Sequence, residues 1–398
     1  MILGVSGPES TADQLAAKFQ HLFGRSALLF RAPGRINLIG EHTDYNQGFV
    51  MPMAIESSTW VAAAKRQDRC LEVYSETFDE RISFSLNSLS GPPRGHWGDF
   101  IRGVAATLQE VGYALCGADL LVHGEVPVGV GLSSSASLEV SVAFALAAVA
   151  GISIPRREMA MLCQKAEHEY TGTRCGVMDQ FAACFSFADH ALILDCRSLE
   201  YRLLAIPSDV RMVVCNTGVR HQLAVGEYNL RRSECEQAVK LLQPSLPEIR
   251  ALRDVEVADL EKYKRDLSER LYRRCRHVIS ENQRVVRAAK ALQSGDKVRV
   301  GQLMNQSHAS LRDDYEVSCK ELDLLVDLAS SMQGVYGARM MGGGFGGCTV
   351  NMVSTGDVST FCANIARMYA HETGISAETY VCEAAQAAGN WPTKGTQS

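Results

Sequence analysis

The stretch Pro127–Ser137 reads PVGVGLSSSAS, and its reading decides how the chain around it folds. Upstream, Ala118–Val126 (ADLLVHGEV) has the pattern of a strand, and downstream Leu138–Val149 (LEVSVAFALAAV) that of a buried helix. Two glycines and three serines therefore fill a strand-to-helix turn. The first turn of a helix leaves backbone N–H groups without intrahelical partners, and the helix dipole adds positive charge there. Such a turn is a ready anion site, with phosphate its usual occupant. A serine-capped helix after a glycine turn has the same sequence, so the loop alone leaves both readings open.

The whole chain sets the frame for that loop. It has 398 residues, 46% hydrophobic and 21% charged, which fits a globular protein of two domains or three. A net charge of −5 gives no electrostatic case for nucleic acid or an anionic membrane. No apolar run approaches the ~20 residues of a membrane span. The start, MILGVSGPES, lacks the basic region and apolar length of a secretion signal. Thirteen cysteines, with no C-x-x-C among them, read as reduced thiols rather than a disulfide framework or zinc site. These features predict a cytoplasmic enzyme.

Along the chain there is no fixed-period repeat and no low-complexity tract. Residues 11–23 predict an amphipathic helix, followed by strands at Ala27–Arg31, Trp60–Ala64 and Leu71–Tyr74. A second helix is predicted at Arg157–Tyr170, with strands at Leu192–Asp195 and Arg211–Cys215 and a crossover at Leu199–Pro207. From Tyr228 to Leu292 the pattern is helical and strongly charged, and the basic run there reads as a solvated helix face. Strand and turn signals around 335–353 and a helix near 358–372 close the pattern. Strands and helices mixed in both halves predict an α+β protein.

Three common phosphate loops can be tested directly. A Walker A loop needs G-K-[ST], which occurs nowhere in the chain. The dinucleotide fingerprint fails because Ser134 stands where its last glycine belongs. A hydrolase nucleophile elbow fails because Ser135 follows where glycine is required. The protein-kinase set is also missing, with RDL at 265–267 lacking its His and Asn and with no DFG. What remains is a loop of backbone N–H groups and hydroxyls suited to a nucleoside triphosphate with Mg²⁺.

Two more segments, RAPGRINLIGEHTDYNQ at 31–47 and YGARMMGGGFGGCTV at 336–350, complete a set of three. Together with the serine loop they resemble the signature motifs of the GHMP small-molecule kinases. GRINLIGEHTDYN is similar to the galactokinase signature, and CGVMDQF at 175–181 resembles that family's catalytic segment. Four motifs in the expected order span residues 31 to 350. The resemblance implies a two-domain fold, with an N-terminal domain like domain 2 of ribosomal protein S5 and a C-terminal ferredoxin-like domain. It puts the N-terminal domain at 1–205 and the C-terminal one at 206–398, with the active site between them. It further implies ATP- and Mg²⁺-dependent phosphorylation of D-galactose at its C1 hydroxyl, the first committed step of galactose catabolism, by a cytoplasmic monomer.

Residue roles follow from the same resemblance, each beside its ordinary reading. Glu41, His42 and Asp44 fall within four residues, and clustered carboxylates accept hydrogen bonds from several sugar hydroxyls. Alone, such a cluster is more commonly a polar turn. The resemblance makes Glu41, His42, Thr43 and Asp44 the galactose pocket, with Gly176, Asp179 and Tyr228 as further contacts. Phosphoryl transfer passes through a loose transition state, so positioning and charge dominate. A carboxylate beside the attacking hydroxyl and an arginine steadying it supply what is needed. The family motifs put Asp179 and Arg35 in those roles, with Asp179 either abstracting the proton or orienting the hydroxyl.

Mg²⁺ takes oxygen ligands and keeps waters. The resemblance assigns it to Ser135 and Glu167, with neighbouring His168 structural. ATP falls to Gly129, Val130, Gly131, Leu132, Ser133, Ser134 and Ser135, with Trp97 and Ser75 near the base, where stacking suits an indole. Val130 occupies a position where galactokinases commonly carry a smaller residue, and its branched side chain is expected to narrow the loop. GGGFGG at 342–347 lets backbone approach closely, and it precedes an apolar strand, which a flexible linker rarely does. Two rivals remain. A kinase for N-acetylgalactosamine needs a roomier sugar site, against the intact EHTDYNQG. A catalytically dead sugar sensor tends to lose the serine loop, which is complete here.

Overall fold

A computed structural model describes residues 7–220 and 224–392. The leader reading of the first ten residues therefore falls partly outside the described residues. The chain divides into two compact units that interleave in sequence. One comprises Ile36–Met53 and Phe187–Ala384, and the other the described residues of Gly4–Arg35, Ala54–Ser186 and Ala385–Ser398. The units thus do not follow the linear division into 1–205 and 206–398. The reason is local: the strands Leu28–Asn37 and Pro52–Lys65 each begin in one unit and end in the other.

In the unit holding most of the first half, a six-stranded sheet is the scaffold. Its order is Gly389–Trp391, Leu28–Asn37, Pro52–Lys65, Ala118–Gly124, Cys70–Ser75, Glu80–Ser85. Cys70–Ser75 runs parallel to Ala118–Gly124, and Pro52–Lys65 antiparallel to it. The amphipathic helix Pro8–Phe23 buries Leu15 and Phe19 against Leu29, Trp60 and Leu121. Helices Gly98–Glu110, Ser134–Ala150, Arg156–Thr171 and Met178–Phe185 pack on one another as a second layer. The Ser134 helix has no polar face, and apart from exposed Ala148 its residues are buried or half-buried.

The other unit carries a four-stranded antiparallel sheet in the order Val335–Met341, Gly346–Ser354, Val210–Arg220, Glu378–Cys382. Numbered along the chain, its spatial order from the last strand is 4-1-3-2, with Lys320–Ser330 and Val358–Thr373 as the connecting helices. That is the split βαβ arrangement of a ferredoxin-like domain. Phe361, Ile365 and Tyr369 pack with Val213, Cys215 and Leu325 to form its core. The long helix Glu269–Gln293 builds a second core with Leu242, Leu252, Leu311 and Tyr315.

Two local expectations change. Leu199–Pro207 is not a bare crossover, because Tyr201–Ala205 forms an edge strand against His190–Asp195. Four of its five side chains are exposed, so no apolar alternation marks it in sequence. The basic run is not wholly solvated either. Arg274 is buried, donating to Glu234 at 2.7 Å and Glu316 at 2.6 Å. Pairing of this kind is what allows a charge inside a core.

Candidate active site

The helix after the glycine turn begins at Ser134, so the serines themselves form its first turn. The Ser137 amide is the first to find an intrahelical partner, in the Ser133 carbonyl at 3.0 Å. The amides of Ser134, Ser135 and Ala136 therefore face outward as an anion cradle. Gly129 (φ 74°) and Gly131 (φ 86°) take conformations that side chains resist. Ser133 takes one as well, at φ 61°, where a residue with a Cβ is uncommon and often functional. Val130, between the two glycines, is buried.

Ser133 does more than end the turn, because its hydroxyl donates to Asp179 Oδ2. Arg35 grips the same carboxylate through both oxygens, Nε to Oδ1 at 2.8 Å and Nη2 to Oδ2 at 2.7 Å. Its third nitrogen, Nη1, donates to the Gly131 carbonyl at 2.6 Å, and the Arg35 amide to Leu132 O at 3.0 Å. Gly34 makes this approach possible, since a Cβ there would lie 2.7 Å from Leu132 O. Arg35 is 7% exposed and Asp179 25%, so the carboxylate is clasped on one side and open on the other. Asp179 stands in the first turn of Met178–Phe185, where a carboxylate suits the helix dipole, and Gly176 is buried just before it.

Behind Asp179 lies a buried acid cluster. Gln180 donates from Nε2 to Glu167 Oε2 at 2.7 Å and to Glu139 Oε2 at 3.0 Å. Burial, reinforced by the neighbouring Asp179 carboxylate, pushes the Glu167 carboxyl up to about 7, while Ser135 and Cys175 supply hydrogen bonds that oppose the rise. Glu139 is pushed well above the usual carboxyl range, first by burial and then by Glu167. Ser135 and Glu167 thus come together, an oxygen-only pair that suits a hard divalent cation. His168 is structural, its Nε2 lying 2.6 Å from the Cys175 carbonyl.

Trp97 stacks on Phe78 at 5.5 Å between ring centres and 12° between planes, and its indole N–H donates to Glu80 at 2.7 Å. Phe78 is exposed, so the pair presents an aromatic face to solvent. Ser75 is buried and serves the turn, its hydroxyl accepting from the Phe78 amide at 3.4 Å.

In the ferredoxin-like unit, the EHTD segment forms a tight, largely buried loop. Gly40 (φ 105°) permits the turn, since a Cβ there would meet Phe49 O at 2.8 Å. Glu41 Oε1 accepts from the Gly342 amide at 2.9 Å and faces Arg339 Nη2 at 3.1 Å, so the sugar signature and the third glycine motif are joined. The Thr43 hydroxyl lies within hydrogen-bond distance of the Gly40 and Phe49 carbonyls, which makes it the brace of the loop. Asp44 is only partly buried. His42 Nδ1 is 2.8 Å from Tyr45 OH, which is 2.8 Å from Tyr315 OH. Tyr228 packs its ring 5.5 Å from His42 and 5.4 Å from Tyr45. Burial holds His42 well below the usual imidazole range, aided by the charges of His277, Arg231 and Arg339.

Glu139, Gln180, Arg339 and Tyr315 are absent from the sequence-derived sites. Two of them carry a signal in hindsight: Glu139 is the lone charge in LEVSVAFALAAV, and Arg339 the lone charge in the apolar strand Val335–Met341. Among the described residues no group of three His, Cys, Asp or Glu side chains is arranged to hold a metal, and no helix is long and apolar enough to cross a membrane.

Comparison with known proteins places the chain in a family. Residues 17–65 match the galactokinase galactose-binding signature, 99–187 the N-terminal domain of the GHMP kinases and 288–371 their C-terminal domain. The chain is 49% identical to the galactokinase of Chloroflexus aurantiacus over 93% of its own length and 95% of that protein's. It is 42% identical to the galactokinase of Actinobacillus succinogenes over 95% of its length and 98% of that protein's. The crystal structure of Lactococcus lactis galactokinase complexed with galactose superposes with a TM-score of 0.93 at 37% identity, covering 96% of this chain and 100% of that one. Methanococcus jannaschii mevalonate kinase, at 16% identity and a TM-score of 0.65, shares the fold. A serine-loop helix, a clasped aspartate and a third glycine motif on a ferredoxin-like sheet define a GHMP kinase. Within that class, the chain belongs to the galactokinase family.

Proposed function

We propose that this chain transfers the γ-phosphoryl group of ATP to the C1 hydroxyl of D-galactose, giving galactose 1-phosphate and ADP. Relatives named galactokinase across nearly the whole chain support this reading, and so does the galactose bound in the Lactococcus structure. The observation that carries it is the Asp179 carboxylate, clasped by Arg35 and Ser133 at the root of the serine loop. One guanidinium thereby fixes both the carboxylate and the Gly131 carbonyl of the loop.

For galactose, one unit offers Glu41, His42, Asp44 and Tyr228, with Thr43 bracing the loop, and the other offers Gly176 and Asp179. Asp44, partly exposed and with Oδ1 accepting from the Tyr45 amide at 2.9 Å, is the carboxylate proposed for sugar hydroxyls, while Glu41 has one oxygen committed to Gly342. The triphosphate lies on the Gly129–Ser135 loop, whose free amides bind its oxygens, and the Trp97–Phe78 pair takes the base. Asp179 orients the C1 hydroxyl and accepts its proton, and Arg35 keeps that carboxylate in register. Ser135 and Glu167 would hold Mg²⁺, which neutralises phosphate charge when bound. The enzyme acts in the cytoplasm as a monomer, in keeping with thirteen cysteines that include no C-x-x-C and suit a reducing compartment.

The test is ADP release across a panel of sugars with Mg²⁺ present. Turnover with galactose, and little with N-acetylgalactosamine or glucose, is expected. A protein that binds galactose and ATP by calorimetry yet releases no ADP would overturn the reading in favour of a sensor.

A further inference from the structure

The Gln180 amide sits where three helices of its unit meet. Glu139 comes from Ser134–Ala150, Glu167 from Arg156–Thr171 and Gln180 from Met178–Phe185. Glu139 and Gln180 are fully buried and Glu167 is 7% exposed. A primary amide has two N–H donors, and here both are spent on carboxylates, at 2.7 Å and 3.0 Å. Successive residues on a helix point to different faces, so Asp179 reaches Arg35 and Ser133 while Gln180 reaches the two glutamates. Placement of the Glu167 carboxylate is thereby tied, through one residue of backbone, to placement of the Asp179 carboxylate.

We propose that Gln180 and Glu139 are positioning residues for the metal carboxylate: Glu139 orients the Gln180 amide, and that amide fixes Glu167 for Mg²⁺. The proposal rests on the assignment of Glu167 to the metal made above. Glu139 works as the second acceptor of the Gln180 amide: with one hydrogen bond to Glu139 and the other to Glu167, the amide plane is held from two sides, and buried polar groups of this kind are costly to leave unsatisfied.

Partners that orient a metal ligand typically contribute about 10–100-fold to metal affinity. The experiment is calorimetric titration of Mg²⁺ into protein saturated with a non-hydrolysable ATP analogue, with galactose affinity and metal-free melting measured beside it. Gln180→Met keeps the volume and removes the amide. It should weaken Mg²⁺ binding by about 10–100-fold while galactose affinity stays near that of the parent. Glu139→Ala should do the same. Glu139→Gln, which keeps an oxygen acceptor for the Gln180 amide, should recover most of that loss, and it preserves packing should the other variants fold poorly. Glu167→Ala serves as the reference. If Glu167→Ala weakens Mg²⁺ binding while Gln180→Met or Glu139→Ala leaves it at the parent level, the positioning role is overturned. If Glu167→Ala itself binds Mg²⁺ like the parent, the metal assignment falls and the positioning role with it.

Discussion

Arg35 and Asp179, 144 residues apart in sequence, meet in a two-point ion pair at 2.7 and 2.8 Å. Planar, bidentate contact of this kind fixes orientation as well as distance, which a lysine could not do. Under the proposed mechanism the two groups serve one reacting hydroxyl, so their contributions to catalysis are expected to be coupled.

That coupling is measurable. Asp179→Asn keeps size and shape but removes the charge, and it should lower kcat by about 10²–10⁴-fold with galactose and ATP still bound. Arg35→Ala should lower kcat too. The double variant should lose far less than the product of the single losses, because the two residues work as a unit. Single-turnover phosphoryl transfer decides it, and a folded Asp179→Asn protein reacting at the parent rate would remove Asp179 from the chemistry.

The sugar side divides differently. Asp44 is partly open, whereas Thr43 is fully buried with its hydroxyl between two backbone carbonyls. A charge-assisted hydrogen bond contributes roughly 1.5–3 kcal/mol, so Asp44→Ala should weaken galactose binding about tenfold or more. ATP affinity and melting temperature should barely move. Thr43→Val should lower the melting temperature instead, by orphaning the bond to the Gly40 and Phe49 carbonyls. Equal losses for both ligands in Asp44→Ala would count against a sugar contact.

The contrast shows what the sequence could reveal. Arg35, Asp179 and the serine loop were legible as candidates because each sits in a short motif that resembles a family signature, and the structure brings Arg35, Ser133 and Asp179 together. Glu41 and Asp44 were legible on the same ground. Gln180 was not, although it follows Asp179 directly, because its meaning depends on helices that begin 22 and 44 residues before its own. Arg274 was misread for a related reason: a basic helix face and a buried ion-pair network have the same local pattern until Glu234 and Glu316 are brought to it. The interleaving of the two units was invisible as well, since two strands pass between them without any linker-like composition.

Arg339 supplies a stability test. It is fully buried, donates to Asn37 O at 2.7 Å and faces Glu41 at 3.1 Å. Removing one partner of a buried pair leaves an uncompensated charge and typically costs about 3–5 kcal/mol. Arg339→Met should therefore lower the urea midpoint sharply. Combining it with Glu41→Gln should recover part of the loss, since the stranded charge is then gone. A double variant no more stable than Arg339→Met would show that the arginine acts through packing alone.

His277 predicts how stability responds to acid. Its ring lies against Tyr315 at 4.5 Å, with Nδ1 3.0 Å from Ser310 Oγ and Nε2 3.1 Å from the Glu41 carbonyl. Burial pushes this imidazole down to about 4, with Arg284 in the same direction and Glu281 and Asp314 opposing. Its ordinary value is about 6.5, so between those limits the unfolded chain binds a proton that the folded chain refuses. Stability from this group is therefore complete above about pH 6.5 and lost as pH falls towards about 4, by roughly 3 kcal/mol in all. Glu281, held down at about 2 beneath a network of Arg284, His277, Arg339 and Ser307, loses its contribution only at lower pH still, between its unfolded value and about 2. His277→Gln keeps a polar side chain but has nothing to titrate. The variant should be less stable than the parent near neutrality, and the gap should narrow by about 3 kcal/mol between about pH 7 and about pH 4. Urea unfolding of both proteins across that range reads the difference, and parallel pH profiles would mean that His277 takes up its proton without cost to the fold.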